Sequence, residues 1–337
     1  MTNPLVLAVD AGNTKTIALV ADGAGRLSGV GHGPGGDIYA VGPKRAQQAV
    51  ATAVAGALSS AGAGTGDVAA AAFNLAGVDW PEDRVWWETA ARRLLPSALL
   101  AVHNDGLALL RVTAADGVGV AATVGTGPAV AARSAGGREW AMGFWCQHPL
   151  AAYGLGLAAL RAIYLAEVGL GEPTALRQVV LDHYRQGSVE ALLHARTRRG
   201  SHQAGLGDTG DMAPLVVQAA AAGDQVAGAI VDQDTQLLAG YLRAAAAQVG
   251  FGEEAPTRVT LGGPVVTDPA GLYRERLLGA IGRSWPAATP TVTAVPPVLG
   301  TLVDAFHLLE PGLAETLRPV IVAHRLPDTE PEGGLDT

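Results

Sequence analysis

The chain has 337 residues, of which 49% are hydrophobic, and its 31 acidic and 23 basic side chains give a formal net charge of −8. This length allows two domains, and the negative charge argues against a protein that binds nucleic acid mainly by neutralising phosphates. A single cysteine excludes an internal disulfide and a multi-cysteine zinc or iron–sulfur site. Since no apolar run reaches the ~20 residues of a bilayer-spanning helix, we expect a cytoplasmic protein that acts on small molecules, with no nucleic-acid or membrane partner.

The first third of the chain predicts three consecutive strands and then alternating helices and strands. Apolar runs at 4–9, 17–20 and 27–31 are separated by glycine-rich turn sequences, which is typical of an antiparallel meander. The elements predicted after them are a helix at 43–60, a strand at 68–75, a helix at 81–95, a strand at 99–102 and a helix ending near 113. The order of elements is therefore βββαβαβα.

A similar pattern begins again at Gly117. A strand at 117–123, a small-residue turn and a strand at 129–132 precede a mainly helical stretch at 150–247. The loop Gly200–Asp211 interrupts that stretch, and it is either a lid or a connection between helices. A strand at 258–261 then ends at a turn that contains two glycines. We therefore predict two related units, each opening with strand, glycine turn and strand, and a disordered tail at 326–337.

Two of the predicted turns carry groups that suit a polyphosphate. The first reads DAGNTKT at 10–16: backbone amides beside Gly12 can approach an anion, Lys15 can add a donor, and Asp10 can hold Mg²⁺ directly or through water. An ordinary hairpin turn explains this segment equally well. The second, VGTGP at 124–128, occupies the same place in the second unit. The two hairpins could therefore face each other across a cleft and hold one polyphosphate.

Polar and small residues follow two further strands. His103-Asn104-Asp105 lies at a predicted junction between strand and helix, where a helix N-terminus would keep Asp105 ionised. In a cleft, this carboxylate could accept the proton of a hydroxyl that attacks phosphorus. Taken alone, an N-cap role for Asn104 or Asp105 is the better interpretation. Gly262 and Gly263 would let a flat base or ribose lie against the backbone, or they simply form a turn.

In this order the segments resemble the acetate and sugar kinase, Hsp70 and actin superfamily, and more narrowly the N-acetylglucosamine kinase and BadF/BadG/BcrA/BcrD ATPase family. The segments that carry the resemblance are DAGNTKT (10–16), NLAGVDWPED (74–83), HNDGLALL (103–110), VGTGPAV (124–130), TLGGPVV (260–266) and PPVLGTLVDAF (296–306). The resemblance implies an α/β fold of two ribonuclease-H-like, actin-like ATPase domains that close over ATP, Mg²⁺ and a sugar. It implies domains at 1–115 and 116–296, with a helix at 297–325 returning to the first.

The resemblance also implies a role for each matched residue in an ATP-dependent carbohydrate kinase. Asp10 would organise Mg²⁺, and Asp105 would be the general base. The residues implied to bind ATP are Gly12, Asn13, Thr14, Lys15, Gly125, Thr126, Gly127, Gly262 and Gly263. The residues implied to bind the phosphate acceptor are Asp37, Ala76, Gly77, Asn104, Asp105, Thr126, Gln147 and His148.

Two departures from the family pattern concern the acceptor. Sugar-kinase relatives carry a Gly-Asp-Glu-Gly-Ser segment whose acidic residue contacts sugar hydroxyls, whereas this chain has no acidic pair at 142–153. Relatives also carry an asparagine that touches the sugar where this chain has Asp37. Because a carboxylate pairs with ammonium better than an amide does, our hypothesis is an amine-bearing sugar or cyclitol, with Gln147 or His148 replacing the lost acidic contact.

Other functions stay open at this point. A catalytically silent pseudokinase or regulatory protein of the same fold would bind ATP without acceptor-dependent ADP release, and Asp37 would then only cap a loop. A reductase-activating ATPase would need cysteine ligands for an iron–sulfur cluster, and the single Cys146 lies beside the altered segment rather than in a glycine turn. A homodimer is compatible with the sequence, although no stretch identifies an interface.

Overall fold

The computed structural model describes residues 4–199 and 207–326. Most of the loop predicted at 200–211 lies outside these ranges. The predicted tail also lies outside them, except for Leu326, and the side chain of Leu326 packs against the core. Within the described ranges no single helix has the length and hydropathy of a membrane span. One helix pair, Thr209–Ala221 with Gln225–Gln248, passes the same test only when its members are joined across a bend of 117°.

Five strands form the first sheet: β1 (Leu5–Ala11), β2 (Lys15–Ala21), β3 (Leu27–Pro34), β4 (Val68–Leu75) and β5 (Leu99–Asn104). They lie in the order β3-β2-β1-β4-β5. β1, β2 and β3 form an antiparallel meander, and β4 and β5 run parallel to β1. The predicted order of the strands along the chain is confirmed. In the structure, β3 and β5 extend further than their apolar runs.

The second sheet repeats this arrangement. Its strands are β6 (Gly119–Val124), β7 (Pro128–Arg133), β8 (Glu139–Ala141), β9 (Thr257–Gly262) and β10 (Ala288–Val292). The order β8-β7-β6-β9-β10 again combines three antiparallel strands with two parallel ones. The prediction of two related units is therefore confirmed. β10 was not predicted, because its sequence ATPTV has no apolar run. In the structure this strand is largely exposed.

Helices cover both sheets. The helices are α1 (Ile38–Val41), α2 (Pro43–Ser60), α3 (Pro81–Leu94), α4 (Leu110–Thr113), α5 (Ala151–Glu167), α6 (Leu176–His183), α7 (Val189–Thr197), α8 (Ala213–Ala221), α9 (Gln225–Gln248), α10 (Leu272–Ser284), α11 (Pro297–Leu309) and α12 (Pro311–Val322). The predicted helical stretch after 150 corresponds to α5 through α9. Apolar side chains of α2 and α3 pack on one face of the first sheet, and those of α5, α9 and α10 pack on the second sheet.

The other face of the first sheet is covered by α11. Its residues 298–306 are all buried, and they form one core with Val6 and Ala8 of β1 and Ala72 of β4. A Cβ atom at Gly300 would lie 1.9 Å from the carbonyl oxygen of Ala108. Only glycine therefore lets α11 pass this close to the backbone before α4.

Candidate active site

Parallel strands place the ends of β1, β4 and β5 at one edge of the first sheet. The register pairs Asp10 with Asn74, and Leu75 with Asn104. The carboxyl ends of parallel strands are where α/β proteins bind ligands. The polar residues that the sequence singled out at positions 10 and 104 thus lie at one edge of the sheet, on β1 and β5, with β4 between them.

Asp105 follows β5 directly, but the helix predicted after it, which ends at Thr113 as expected, begins later. A single 3-10 turn spans Asp105–Leu107, and α4 begins only at Leu110. The side chain of Asn104 accepts the N–H of Gly106 at 2.9 Å, so the N-cap interpretation is confirmed for Asn104. Gly106 disfavours continuing a regular helix at this point, which explains the short turn.

The expectation that a helix N-terminus keeps the carboxyl group of Asp105 ionised is wrong. Burial, and then the charges of Asp10, Asp79 and Asp37, raise the pKa of Asp105 to about 8. One 3-10 turn supplies too little dipole to offset this convergence of carboxylates. Burial likewise raises the pKa of Asp10 to about 7, although the charge of Lys15 opposes the shift. The first sheet therefore presents carboxyl groups that exchange protons near neutral pH.

Asp79 belongs to the same group, and sequence analysis did not single it out. Its Oδ1 accepts a hydrogen bond from Nδ2 of Asn104 at 3.0 Å. Burial, then the charges of Asp37 and Asp83, raise its pKa to about 6. Asp79 could have been found from its place in the NLAGVDWPED segment, because it lies between a buried strand and a helix that begins at Pro81.

Asp37 has the capping role that was one of the two alternatives for it, and its role towards an acceptor stays a prediction. It is the N-cap of α1 and accepts the N–H of Tyr39 at 2.8 Å. It also lies against the loop after β4, because a Cβ atom at Gly77 would be 2.7 Å from its Oδ1. Ala76 holds that loop to the end of β1 through its N–H, which donates to the carbonyl of Ala11 at 2.7 Å. The loop with Ala76 and Gly77 and the Asp37 carboxylate are thus neighbours.

The first glycine hairpin adjoins this carboxylate group. Gly12 donates its N–H to the carbonyl of Lys15 at 3.0 Å and accepts the N–H of Gly36 at the same distance. Asn13, Thr14 and Lys15 are exposed at its tip. The hairpin is therefore tied to the loop that leads into Asp37, while its tip stays open to a ligand.

The second hairpin rests on the start of α5. The N–H groups of Ala152 and Tyr153 donate to the carbonyls of Gly125 and Thr126 at 3.1 and 2.9 Å. The turn after β9 lies directly beside this hairpin: Gly263 has φ of 93°, and a Cβ atom there would be 2.6 Å from the carbonyl oxygen of Val124. Gly125–Gly127 and Gly262–Gly263 thus form one glycine-lined surface at the ends of β6 and β9.

The turn that begins with Asp105 brings the two sheets together. A Cβ atom at Gly106 would lie 2.9 Å from the Cβ of Ala131 on β7. Ala131 is three residues, or about 10 Å of strand, from Pro128, which directly follows the second hairpin. The turn that follows Asp105 therefore packs against β7, the strand that begins at the second hairpin.

Three half-exposed aromatic rings form a wall beside Asp79. The ring of Phe144, from the second half of the chain, contacts Tyr39 edge-on at 4.8 Å and stacks on Trp80 at 6.5 Å between centroids. The three side chains are 42 to 50% exposed. A Cβ atom at Gly143 would be 2.5 Å from Oδ1 of Asp79. The segment that departs from the family pattern thus packs against Asp79 and the rings of Tyr39 and Trp80 in the first half of the chain.

Gln147 and His148 lie in this same segment, and both are exposed. Nε2 of Gln147 donates to the carbonyl of Phe144 at 2.7 Å, and the carbonyl of His148 accepts from Sγ of Cys146 at 3.2 Å. The Gln147 amide thus stabilises the segment's own turn. The side chains of Gln147 and His148 form no hydrogen bond with Asp37, so their role towards an acceptor stays a prediction.

The donor atoms fit Mg²⁺ bound together with a polyphosphate. Within 4–199 and 207–326, no three His, Cys, Asp or Glu side chains are grouped as a metal cage. Mg²⁺ needs no such cage, since it commonly takes one or two carboxylates, substrate phosphates and waters. The raised pKa values of Asp10 and Asp105 mark a place where a cation would relieve repulsion.

Solved structures share the fold of this chain. A candidate N-acetylglucosamine kinase from Chromobacterium violaceum matches with a TM-score of 0.66 at 22% identity, over 92% of this chain and 100% of that one. Another from Porphyromonas gingivalis matches with a TM-score of 0.64 at 19% identity, over 90% and 99%. A ROK family glucokinase from Streptomyces griseus, solved with glucose and AMPPNP, matches with a TM-score of 0.58 at 18% identity, over 90% and 99%. This chain has the two-domain α/β fold of these sugar-kinase structures.

The same strand order occurs in both sheets because the fold consists of two similar domains. The expected fold class, two actin-like ATPase domains, is confirmed. No protein-family model and no curated protein matches the chain. At these identities the likeness fixes the fold, and the acceptor has to be argued from the site itself.

Proposed function

We propose that the protein is an ATP-dependent carbohydrate kinase, which transfers the γ-phosphate to a hydroxyl of a sugar, amino sugar or cyclitol. The observation that carries this proposal is the position of Asp105. It lies in the turn where the two sheets meet, among the carboxyl groups of Asp10, Asp37 and Asp79, and its pKa is raised to about 8. A general base is most effective when its pKa lies near the working pH. The sugar-kinase fold supports the same function.

The nucleotide is assigned to the glycine surfaces. ATP supplies the phosphoryl group, and Mg²⁺ bound with it neutralises charge on the phosphates. We assign Mg²⁺ to Asp10, the phosphates to the hairpins Gly12–Lys15 and Gly125–Gly127, and adenosine to Gly262–Gly263. Hairpin amides suit this role because transfer depends mainly on positioning and electrostatic stabilisation.

The acceptor is assigned to the carboxylate side of the cleft. Asn104, Ala76 and Gly77 hold the backbone around it, and Asp105 faces the hydroxyl. As the acceptor oxygen bonds to phosphorus and the bond to ADP breaks, Asp105 takes the hydroxyl proton. The aromatic wall of Tyr39, Trp80 and Phe144 lines one side of the acceptor position.

An amine on the acceptor would suit this site. The charge of Asp37 contributes to raising the pKa of Asp79, so the two carboxyl groups repel each other when ionised. An ammonium group placed between them would remove that repulsion and gain charge-assisted hydrogen bonds. Glucosamine and aminocyclitols therefore fit better than N-acetylglucosamine.

The test is acceptor-dependent ADP release over a panel of glucose, glucosamine, N-acetylglucosamine, inositol and an aminocyclitol, with ATP and Mg²⁺. We expect the amines to be phosphorylated with the highest kcat/KM. The matched variant Asp37→Asn should shift the preference towards N-acetylglucosamine. If calorimetry shows ATP binding and no member of the panel increases ADP release, the kinase proposal is wrong and a silent nucleotide-binding protein takes its place.

A further inference from the structure

A buried network of charged side chains joins the two sheets, and the chemistry above does not use it. Its centre is Glu139, the first residue of β8, whose side chain is 17% exposed. The carboxylate accepts from Nε of Arg133 at 2.9 Å, from Nη2 of Arg84 at 2.7 Å and contacts Nδ1 of His103 at 3.1 Å. Arg133 belongs to the second sheet, whereas Arg84 is on α3 and His103 is on β5. One carboxylate thus binds both halves of the molecule.

Both partners in the first half lie next to candidate-site residues. His103 is two residues before Asp105 on the same strand end. Arg84 follows Asp83, whose Oδ2 accepts the N–H groups of Asp79 and Trp80 at 3.2 and 2.9 Å. Glu139 therefore holds the two segments that carry the base and the acceptor-side carboxylate.

The network continues behind Arg133. Nη1 of Arg133 lies 3.6 Å from Oδ1 of Asp304 on α11, and the same oxygen accepts from Nε of Arg111 at 2.6 Å. These three side chains are less than a tenth exposed. Arg133 thus links Glu139 to the helix that covers the first sheet, which makes the junction between the halves a continuous chain of charges.

The Glu139 carboxylate is held in its ionised form. Burial alone would raise its pKa, but the hydrogen bond and charge of His103, with Arg133 and Arg84, hold the pKa well below its usual range. A buried ionised group with three partners is sensitive to the loss of any one, because the others are then left uncompensated. The junction is therefore fixed in one geometry.

We propose that Glu139 is a positioning residue, which sets the distance between Asp105 and the hairpin Gly125–Gly127. β7 connects that hairpin to Arg133, which pairs with Glu139 in register on β8. The end of β5 connects Asp105 to His103 in the same way. Since a misplacement of about 1 Å can cost about 10²-fold in rate, this carboxylate would control alignment of base and phosphate. The catalytic part of the inference rests on the proposed function.

Glu139→Gln keeps the shape of the side chain and removes its charge. We expect kcat to fall at least tenfold, while the Kd for ADP changes by a smaller factor, because the assigned contacts at Gly125–Gly127 and Gly262–Gly263 stay together on the second sheet and only those at Gly12–Lys15 belong to the first. Glu139→Asp should restore part of kcat. The control is Glu167→Gln, which removes an exposed ion pair with Arg177 and should leave kcat unchanged. An unchanged kcat in Glu139→Gln, or an equal loss in the control, would overturn the inference.

A second readout does not depend on catalysis. Amide hydrogen exchange of residues 99–107 should be at least tenfold faster in Glu139→Gln, and exchange in α6 and α7 should be unchanged. If the wild-type protein phosphorylates nothing, the proposed function fails while this exchange result still decides whether Glu139 holds β5. Should Glu139→Gln not fold, Arg84→Gln removes one partly exposed partner, and the same local increase in exchange is expected. Equal exchange in wild type and variant would contradict the inference.

Discussion

The carboxylate of Asp234 accepts the backbone N–H of Ala151 at 3.1 Å, where Ala151 has φ of 60°. Its other oxygen accepts the hydroxyl of Tyr273 at 2.6 Å, and Asp234 is 5% exposed. A left-handed conformation is unfavourable for alanine, so the surrounding structure has to hold it. The two residues after Ala151 are those that donate to the second glycine hairpin. Asp234 on α9 therefore supports the hairpin through the start of α5.

Asp234→Ala should destabilise the protein and weaken nucleotide binding. It leaves the Tyr273 hydroxyl and the Ala151 N–H without partners, at about 1–3 kcal/mol each, and releases the support of the hairpin. We expect the free energy of unfolding in urea to fall by about 2–5 kcal/mol and the Kd for ADP to rise. The control is Asp232→Ala, which removes an exposed ion pair with Arg276 and should cost less than about 1 kcal/mol. Equal losses in both variants would contradict this role.

The same carboxyl group makes stability depend on pH. Burial outweighs its hydrogen bonds and raises the pKa of Asp234 from 3.8 to about 6. Between these values the folded state binds more protons than the unfolded state, so stability falls as pH rises from 3.8 to about 6, by about 3 kcal/mol at this group. Asp234→Asn removes this contribution. In urea denaturation, the free energy of unfolding of the variant should increase relative to that of the wild type as the pH rises over that window. If the free energies of the two proteins change in parallel with pH, the prediction is contradicted.

Gly300→Ala tests the close approach of α11. The added Cβ would meet the carbonyl oxygen of Ala108 at 1.9 Å, and backbone cannot move aside as a side chain can. We expect a loss of about 1–3 kcal/mol or more in the free energy of unfolding. Gly240→Ala on α9 is the matched control, since nothing lies within 4 Å of its Cβ position, and it should gain about 0.5–1 kcal/mol. Similar effects of both substitutions would contradict the packing described for α11.

The pH dependence of kcat/KM tests the protonation state of Asp105. A base with a pKa of about 8 is largely protonated at pH 6 and ionised above pH 8. Since kcat/KM reports groups of the free enzyme, it should rise with pH, reach half of its plateau near pH 8 and level off about one pH unit higher. An activity that is flat between pH 5 and 8 would show that no such group has to lose its proton.

Local chemistry in the sequence was enough to predict the strands and glycine hairpins. The turns near Gly12 and Thr126 follow apolar runs, so both units of the repeat could be recognised. The charge state of Asp105 could not be predicted, because it depends first on burial and then on the charges of Asp10 and Asp79, which other strands and loops bring near.

Long-range contacts hid other parts of the site. Glu139 contacts His103 and Arg84, which are 36 and 55 residues away in the chain, so no spacing pattern marks it. Asp79 lay inside a matched segment, but its importance depends on the amide of Asn104, 25 residues further on. Phe144 became part of the acceptor wall only through packing on rings from the other half of the chain.

The most direct test of the central claim is the turnover of Asp105→Asn on the best acceptor of the panel, with the Kd for ATP measured in parallel. If Asp105 takes the acceptor's proton beside the phosphate chain, kcat should fall by about 10²–10⁴-fold, while the Kd for ATP should stay close to the wild-type value because the nucleotide is assigned to other residues. A variant that keeps the wild-type kcat would contradict the account.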